Sequence, residues 1–141
     1  MRVLVCGGRE FNNACMLGIW LSHVVEHCGI EVLIVGGARG ADFLAAKFGE
    51  RKGIPVLTFH AEWGRYGNEA GPIRNARMLS EGKPDLVVAF KGATGTADMV
   101  RRAKAAGVQV VEARGLIPSQ ELLRSFTNPI NSSGFWAGVM T

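Results

Sequence analysis

The residues with the most chemical potential lie in three glycine turns that share a pattern. Gly7-Gly8-Arg9 follows the apolar run Arg2 to Cys6. Gly36-Gly37-Ala38-Arg39-Gly40-Ala41-Asp42 follows Val32 to Val35. Lys91-Gly92-Ala93-Thr94-Gly95-Thr96 follows Asp85 to Phe90. Glycine lets a backbone approach a ligand without Cβ obstruction. A helix that starts just beyond such a turn points its unpaired N–H groups at whatever sits there, and that favours an anion. Arg9, Arg39 and Arg74 each stand beside such a turn or at the start of a helix facing one. A guanidinium grips phosphate or carboxylate with two parallel hydrogen bonds, and Lys91 adds a point charge. Each feature has a plainer reading, as a tight turn or as a solvated or ion-paired arginine. Three turns at one edge favour a phosphate or pyrophosphate ligand.

Elements that alternate must position these turns. Strands are expected at Arg2 to Cys6, Val32 to Val35, Pro55 to Phe59, Asp85 to Phe90 and Val108 to Val111. Helices are expected from an Asn12 or Asn13 cap to about His27, from Asp42 to Gly53, from Pro72 to Glu81 and from Ala97 to Ala106. Leu17, Trp20, Leu21, Val24 and Val25 recur at helical spacing and mark a core face. Pro72 suits an early helical position, and Thr96 suits a cap. Strand–helix alternation implies an α/β, Rossmann-like three-layer sandwich with a mainly parallel sheet of about five strands. Ligands of such sheets bind beyond the carboxyl ends of the strands, where strand order reverses. All three turns fall at such ends.

With 141 residues, 48% of them hydrophobic and 20% charged, the chain has the composition of a globular protein. The expected division is a nucleotide-binding domain over 1–113 and a C-terminal helix and extension over 114–141, with the helix near Pro118 to Phe126. Phe135 and Trp136 either dock on their own domain or cross to a second subunit. The net charge of +4 fits an anionic small molecule or a nucleic acid and decides neither. No apolar run reaches the roughly 18 residues of a membrane span. The start shows no signal peptide, and Cys6, Cys15 and Cys28 are odd in number without metal-type spacing. A cytoplasmic protein with reduced thiols is expected.

Other residues are open to two readings. Asp42 and Asp98 lie in first helical turns, where a carboxylate suits the dipole; they also suit ribose hydrogen bonding or general-base work. Trp63 and Tyr66, in the irregular stretch from His60 to Pro72, either stack a base or plug their loop. Asn68 and Glu69 are candidates to read the polar edges of a base. His23 and His27, four apart on a helix, have the spacing to present two metal ligands but are expected to be ordinary helix residues: no third ligand shows at useful spacing, and Cys28 is rotated away. No metal and no cofactor are expected. Arg101, Arg102 and Lys104 read as a solvated face.

With GGARGAD, GPIRNARML and GATGTADMVRRA all present in order, residues 1 to 113 resemble the SLOG superfamily. This group includes the Lonely Guy phosphoribohydrolases, the DprA/Smf proteins and the molybdenum-cofactor carriers. The nearest resemblance is to its YspA-like, YpsA-related branch, found in bacteria and their phages. The resemblance implies that Arg74 matches the arginine preceding the hydrolases' PGGxGTxxE motif, and that Gly92, Gly95 and Thr96 match its glycine-threonine turn. Lys91 and Ala93 depart from that motif, and Met99 stands in place of its catalytic glutamate. Asp98 is the nearest carboxylate, and one residue on a helix turns a side chain by about 100°. The resemblance therefore implies a sensor or sequestering protein for a nucleotide-derived small molecule, such as a nucleoside phosphate or an ADP-ribose-like compound. A nucleoside-monophosphate N-glycosidase using Asp98 and Arg74 is the first alternative. DprA-like binding of single-stranded nucleic acid is the second. A homo-oligomer is expected by the same resemblance.

Overall fold

A computed structural model describes residues 1–126; the tail aromatics Phe135 and Trp136 lie outside the described residues. Five strands form one wholly parallel sheet: β1 (Arg2–Cys6), β2 (Val32–Val35), β3 (Val56–Thr58), β4 (Leu86–Ala89) and β5 (Gln109–Glu112). Their order is β3-β2-β1-β4-β5. The order reverses between β1 and β4, so a crevice must open where those two strands end.

Alternation along the strands divides the core into two layers. Val3 and Val5 of β1, Leu33 and Val35 of β2, and Leu86 and Val88 of β4 face one way. They meet Leu17, Trp20, Leu21 and Val24 of α1 (Ala14–Cys28), and Ala41, Ala45 and Phe48 of α2 (Ala41–Lys52). Leu4, Ile34 and Val87 face the other way. There they meet Met78 of α4 (Ala70–Gly82), and Met99 and Ala103 of α5 (Thr94–Ala105). The central strands are buried on both faces, which is why they read as unbroken apolar runs. Leu122 and Leu123 of α6 (Gln120–Phe126) pack against the α1 layer. No helix among the described residues is long and apolar enough to cross a membrane.

Element ends depart from expectation in ways that matter for the site. Asn13 caps α1, its Oδ1 accepting from the Met16 amide at 3.0 Å. Val25, expected in the core, is exposed. The stretch after β3 is not irregular throughout. It forms one helical turn, α3 (Trp63–Tyr66), and a 3-10 turn (Gly67–Glu69) that runs into α4. α4 starts at Ala70, so Pro72 is its third residue; amides of the first turn have no intrahelical acceptor, and a proline there costs no bond. α5 starts at Thr94, three residues before the expected start. Its cap is Ala93, which offers no side-chain bond, and Thr96 lies inside the first turn.

Candidate functional site

Gly8 joins the three turns. Its amide donates to the Lys91 carbonyl at 2.8 Å, while its own carbonyl accepts from the Ala41 amide at 3.2 Å and the Phe11 amide at 3.2 Å. The turn after β1 is thereby tied both to the turn after β4 and to the start of α2. The glycines make this contact possible. A Cβ on Gly92 would collide with Thr96 Oγ1 and the Gly8 amide, and one on Gly40 (φ +81°) would collide with the Gly8 carbonyl. Much of the close approach that glycine permits here is between the turns themselves.

The turn after β2 is already occupied by an anion of its own. Asp42 is buried, and its Oδ2 accepts from the Ala38 amide at 3.1 Å. The Gly36 amide also binds it. Burial raises the Asp42 carboxyl above the ordinary carboxylate value, against the opposing pull of the Ala38 amide and Arg74. Arg74 is half-buried next to it. It donates through Nη1 to the Gly36 carbonyl and through Nε to Asn75 Oδ1 at 3.1 Å. Burial lowers the Arg74 guanidinium, and Asp42 partly restores it. Asp42 and Arg74 thus brace this turn from beneath.

Three clefts open at this edge of the sheet, and two of them are lined by Arg9. The first of these two, about 720 Å³, lies where the strand order reverses and is lined by residues 7–12 and 91–96; it adjoins the third, about 900 Å³, which shares Phe11 and residues 91–93 with it and reaches Glu112 at the end of β5. Phe11, stacked at a tilt on Phe90 with centroids 5.1 Å apart, forms part of its wall. The first turn of α5 opens into it, and the Thr94, Gly95 and Thr96 amides have no partner among the described residues. Lys91 is exposed at its edge. The smaller cleft, about 410 Å³, is lined by Gly36, Gly37, Ala38, Arg39, His60, Ala61, Trp63 and Arg74. Arg9 lines both, and its guanidinium lies 5.3 Å from the centroid of the Trp63 ring.

Arg39 pairs with Glu10 at 3.0 Å, and both are well exposed. Tyr66 lines neither cleft and stacks with Arg65, 5.0 Å from its ring centroid. Asp98 lines neither cleft either. Its carboxylate faces α4 and accepts from Asn75 Nδ2 at 3.0 Å, from Arg102 Nε at 2.8 Å and from Arg101 Nη2. Burial raises its carboxyl, but the Asn75 and Arg102 bonds outweigh that and leave it below the ordinary carboxylate value. Arg101 and Arg102 are thus partners of Asp98 rather than a plain solvated face. Met99 is in the core. The one-residue offset along α5 separates a buried thioether from a bound carboxylate.

Sequence reasoning missed Asn75. It is buried, and its amide bridges α4 to α5 by donating to the Gly95 carbonyl at 3.2 Å as well as to Asp98. A continuous chain of hydrogen bonds therefore runs from Gly36 through Arg74 and Asn75 to the first turn of α5. The signal was present: Asn75 falls three residues before Met78, on the face of α4 that should be apolar. A polar residue at such a position needs buried partners. Phe11 and His60 were also left off the site, although both line a cleft.

Comparison with known proteins places this architecture. The chain resembles DNA processing protein A (DprA) from Streptococcus pneumoniae in fold, with a TM-score of 0.64 and 16% identity over 94% of this chain and 56% of that one. It spans little more than half the length of that protein. It is 30% identical over 118 residues to the Gene 61 protein of Mycobacterium phage D29, an overlap of 78% of this chain and 94% of that one. Residues 1–66 match the family described as YspA, cpYpsA-related SLOG. With the parallel sheet and the joined turns after β1, β2 and β4, these matches mean that the chain belongs to the YspA, cpYpsA-related SLOG family.

Proposed function

We propose that this protein binds a nucleotide-derived small molecule, a nucleoside phosphate or an ADP-ribose-like compound, and acts as a sensor or sequestering protein. The observation that carries this reading is the cleft of about 720 Å³. Three unpaired amides at the start of α5 open into it, at the point where strand order reverses, with Arg9 and Lys91 at hand. In this reading the phosphate sits on the first turn of α5. The remainder of the ligand extends over Arg9 toward Trp63, whose half-exposed ring is available for stacking. Binding without turnover is favoured because Asp98 is held by Asn75, Arg101 and Arg102 outside both clefts. Of the carboxylates that do line clefts at this edge, Glu10 is exposed and paired with Arg39, and Glu112 is paired with Lys104 and Arg114.

The test has two parts. Small molecules released by denaturing the purified protein are identified by mass spectrometry, and nucleotides are screened by thermal shift against wild type and an Arg9→Ala/Lys91→Ala double variant. A co-purifying nucleotide, or a nucleotide that raises the wild-type midpoint but not the variant's, supports the reading. A free base with a ribose phosphate would instead revive the N-glycosidase. No released ligand and no shift with any nucleotide would overturn the proposal.

A second reading, single-stranded nucleic acid, has one observation in its favour. Arg9–Trp63 and Arg65–Tyr66 are arginine–aromatic pairs whose rings both lie in the segment after β3, and such pairs stack bases. It requires binding of a labelled oligonucleotide that weakens steeply with salt.

A further inference from the structure

We propose that α1 carries a binding site for a divalent transition-metal cation of the Zn²⁺ class, built from His23, Glu26 and His27. Sequence spacing offered only two histidines. The structure adds a third donor between them. His23 Nδ1 lies 3.8 Å and His27 Nδ1 3.9 Å from the same Glu26 Oε1. One ligand atom from each of the three residues falls within 4.8 Å of the other two. The two rings meet edge-on, 6.0 Å between centroids.

Both Nδ1 atoms are buried and have no hydrogen-bond partner. Buried polar atoms are ordinarily satisfied, and an unsatisfied one calls for an explanation such as an ion. Here two of them converge on one carboxylate. Donors around a tetrahedral ion at about 2.0–2.1 Å stand about 3.3 Å apart, so small side-chain rotations close the set. Two imidazoles and a carboxylate form a borderline donor set that suits Zn²⁺ and its first-row neighbours rather than Ca²⁺ or Mg²⁺. Three protein ligands leave the fourth position to water.

Glu26 is exposed, so the ion can enter from solvent. Arg51 and Lys52 line the groove shared by His23 and Glu26. Their charge opposes a cation and holds the affinity below that of an enclosed site. The site lies toward the C-terminal end of α1, which leads into the amino end of β2. It is therefore at the opposite edge of the sheet from the glycine turns, and it does not depend on the proposed nucleotide cleft.

The test uses the full chain, free of any polyhistidine tag and stripped with EDTA, in a Cys15→Ser background that removes the exposed thiol. Zn²⁺ affinity is measured by competition with a chromophoric chelator, and Co²⁺ loading by its visible absorption. The expected result is one ion per chain. His23→Gln and His27→Gln should each weaken binding by about tenfold or more, the loss that removing even a supporting outer group brings. Glu26→Gln should weaken it less, and circular dichroism should be unchanged throughout. No uptake by the unsubstituted site, or equal affinity in the His23→Gln/His27→Gln double variant, would overturn the proposal.

Discussion

Asp98 and Asp42 show how differently two first-turn carboxylates can be used. Both are buried. Asp42 takes backbone amides within its own turn, and burial leaves its carboxyl raised. Asp98 takes Asn75, Arg101 and Arg102, and its carboxyl is lowered. For a carboxyl lowered by folding, stability is fully present above the unfolded value of about 3.9 and is lost as pH falls through the folded value. Asp98→Asn should therefore flatten the acid limb of the stability curve, as measured by urea unfolding from pH 5 down to about pH 2. An unchanged acid limb would mean that the bonds to Asp98 do not form in solution. Burial alone dominates at Cys6, whose thiol is pushed up to about 12. In native protein Cys15 should react rapidly with a thiol reagent, while Cys6 should react only on unfolding.

Among the elements, α5 is the one whose placement decides what the edge of the sheet can bind. Its cap residue contributes no side-chain bond, so its first turn relies on Asn75 from α4 and on the contact between Gly8 and Gly92. Asn75→Ala removes the bonds to Gly95 and Asp98 and leaves the half-buried Arg74 Nε without its acceptor. The expected cost is about 1–3 kcal/mol in chemical denaturation. Amide exchange at residues 97–99, the first hydrogen-bonded amides of α5, should rise more than that of β1. A uniform rise would assign Asn75 a purely global role. Gly40→Ala should cost about 1–3 kcal/mol from backbone strain alone, and more from the collision with the Gly8 carbonyl. A fully stable Gly40→Ala variant would show that the start of α2 is not pinned as the geometry implies.

For the whole molecule, one sheet supports two cores, and neither helical layer can form without the strands it covers. Trp20→Ala in the α1 layer and Met78→Ala in the α4 layer should each lower stability by about 2–5 kcal/mol. Both should act on a single transition in which circular dichroism and tryptophan fluorescence coincide. Separate transitions would mean that the layers are independent folding units. The proposed nucleotide binding should raise that same transition by about 2.7 kcal/mol at a hundredfold excess over Kd.

Period-2 and period-3.6 patterns, glycine stops and the Asn13 cap suffice to derive the strands, the helices and their alternation, because those choices are made by each residue's own backbone and its near neighbours. The carboxyl-edge location of the glycine turns follows from the same alternation. Strand order, and with it the crevice between β1 and β4, came only from the tertiary structure, since it depends on contacts between segments some eighty residues apart in sequence. The same is true of Asp42 acting as its turn's own anion, Asp98 turned away from both clefts, Asn75 as the bridge, and Glu26 between two histidines. Each is a matter of where a side chain points. Residue type and spacing bring a group to an element, while packing from other elements decides whether it faces solvent, a ligand or a partner within the fold.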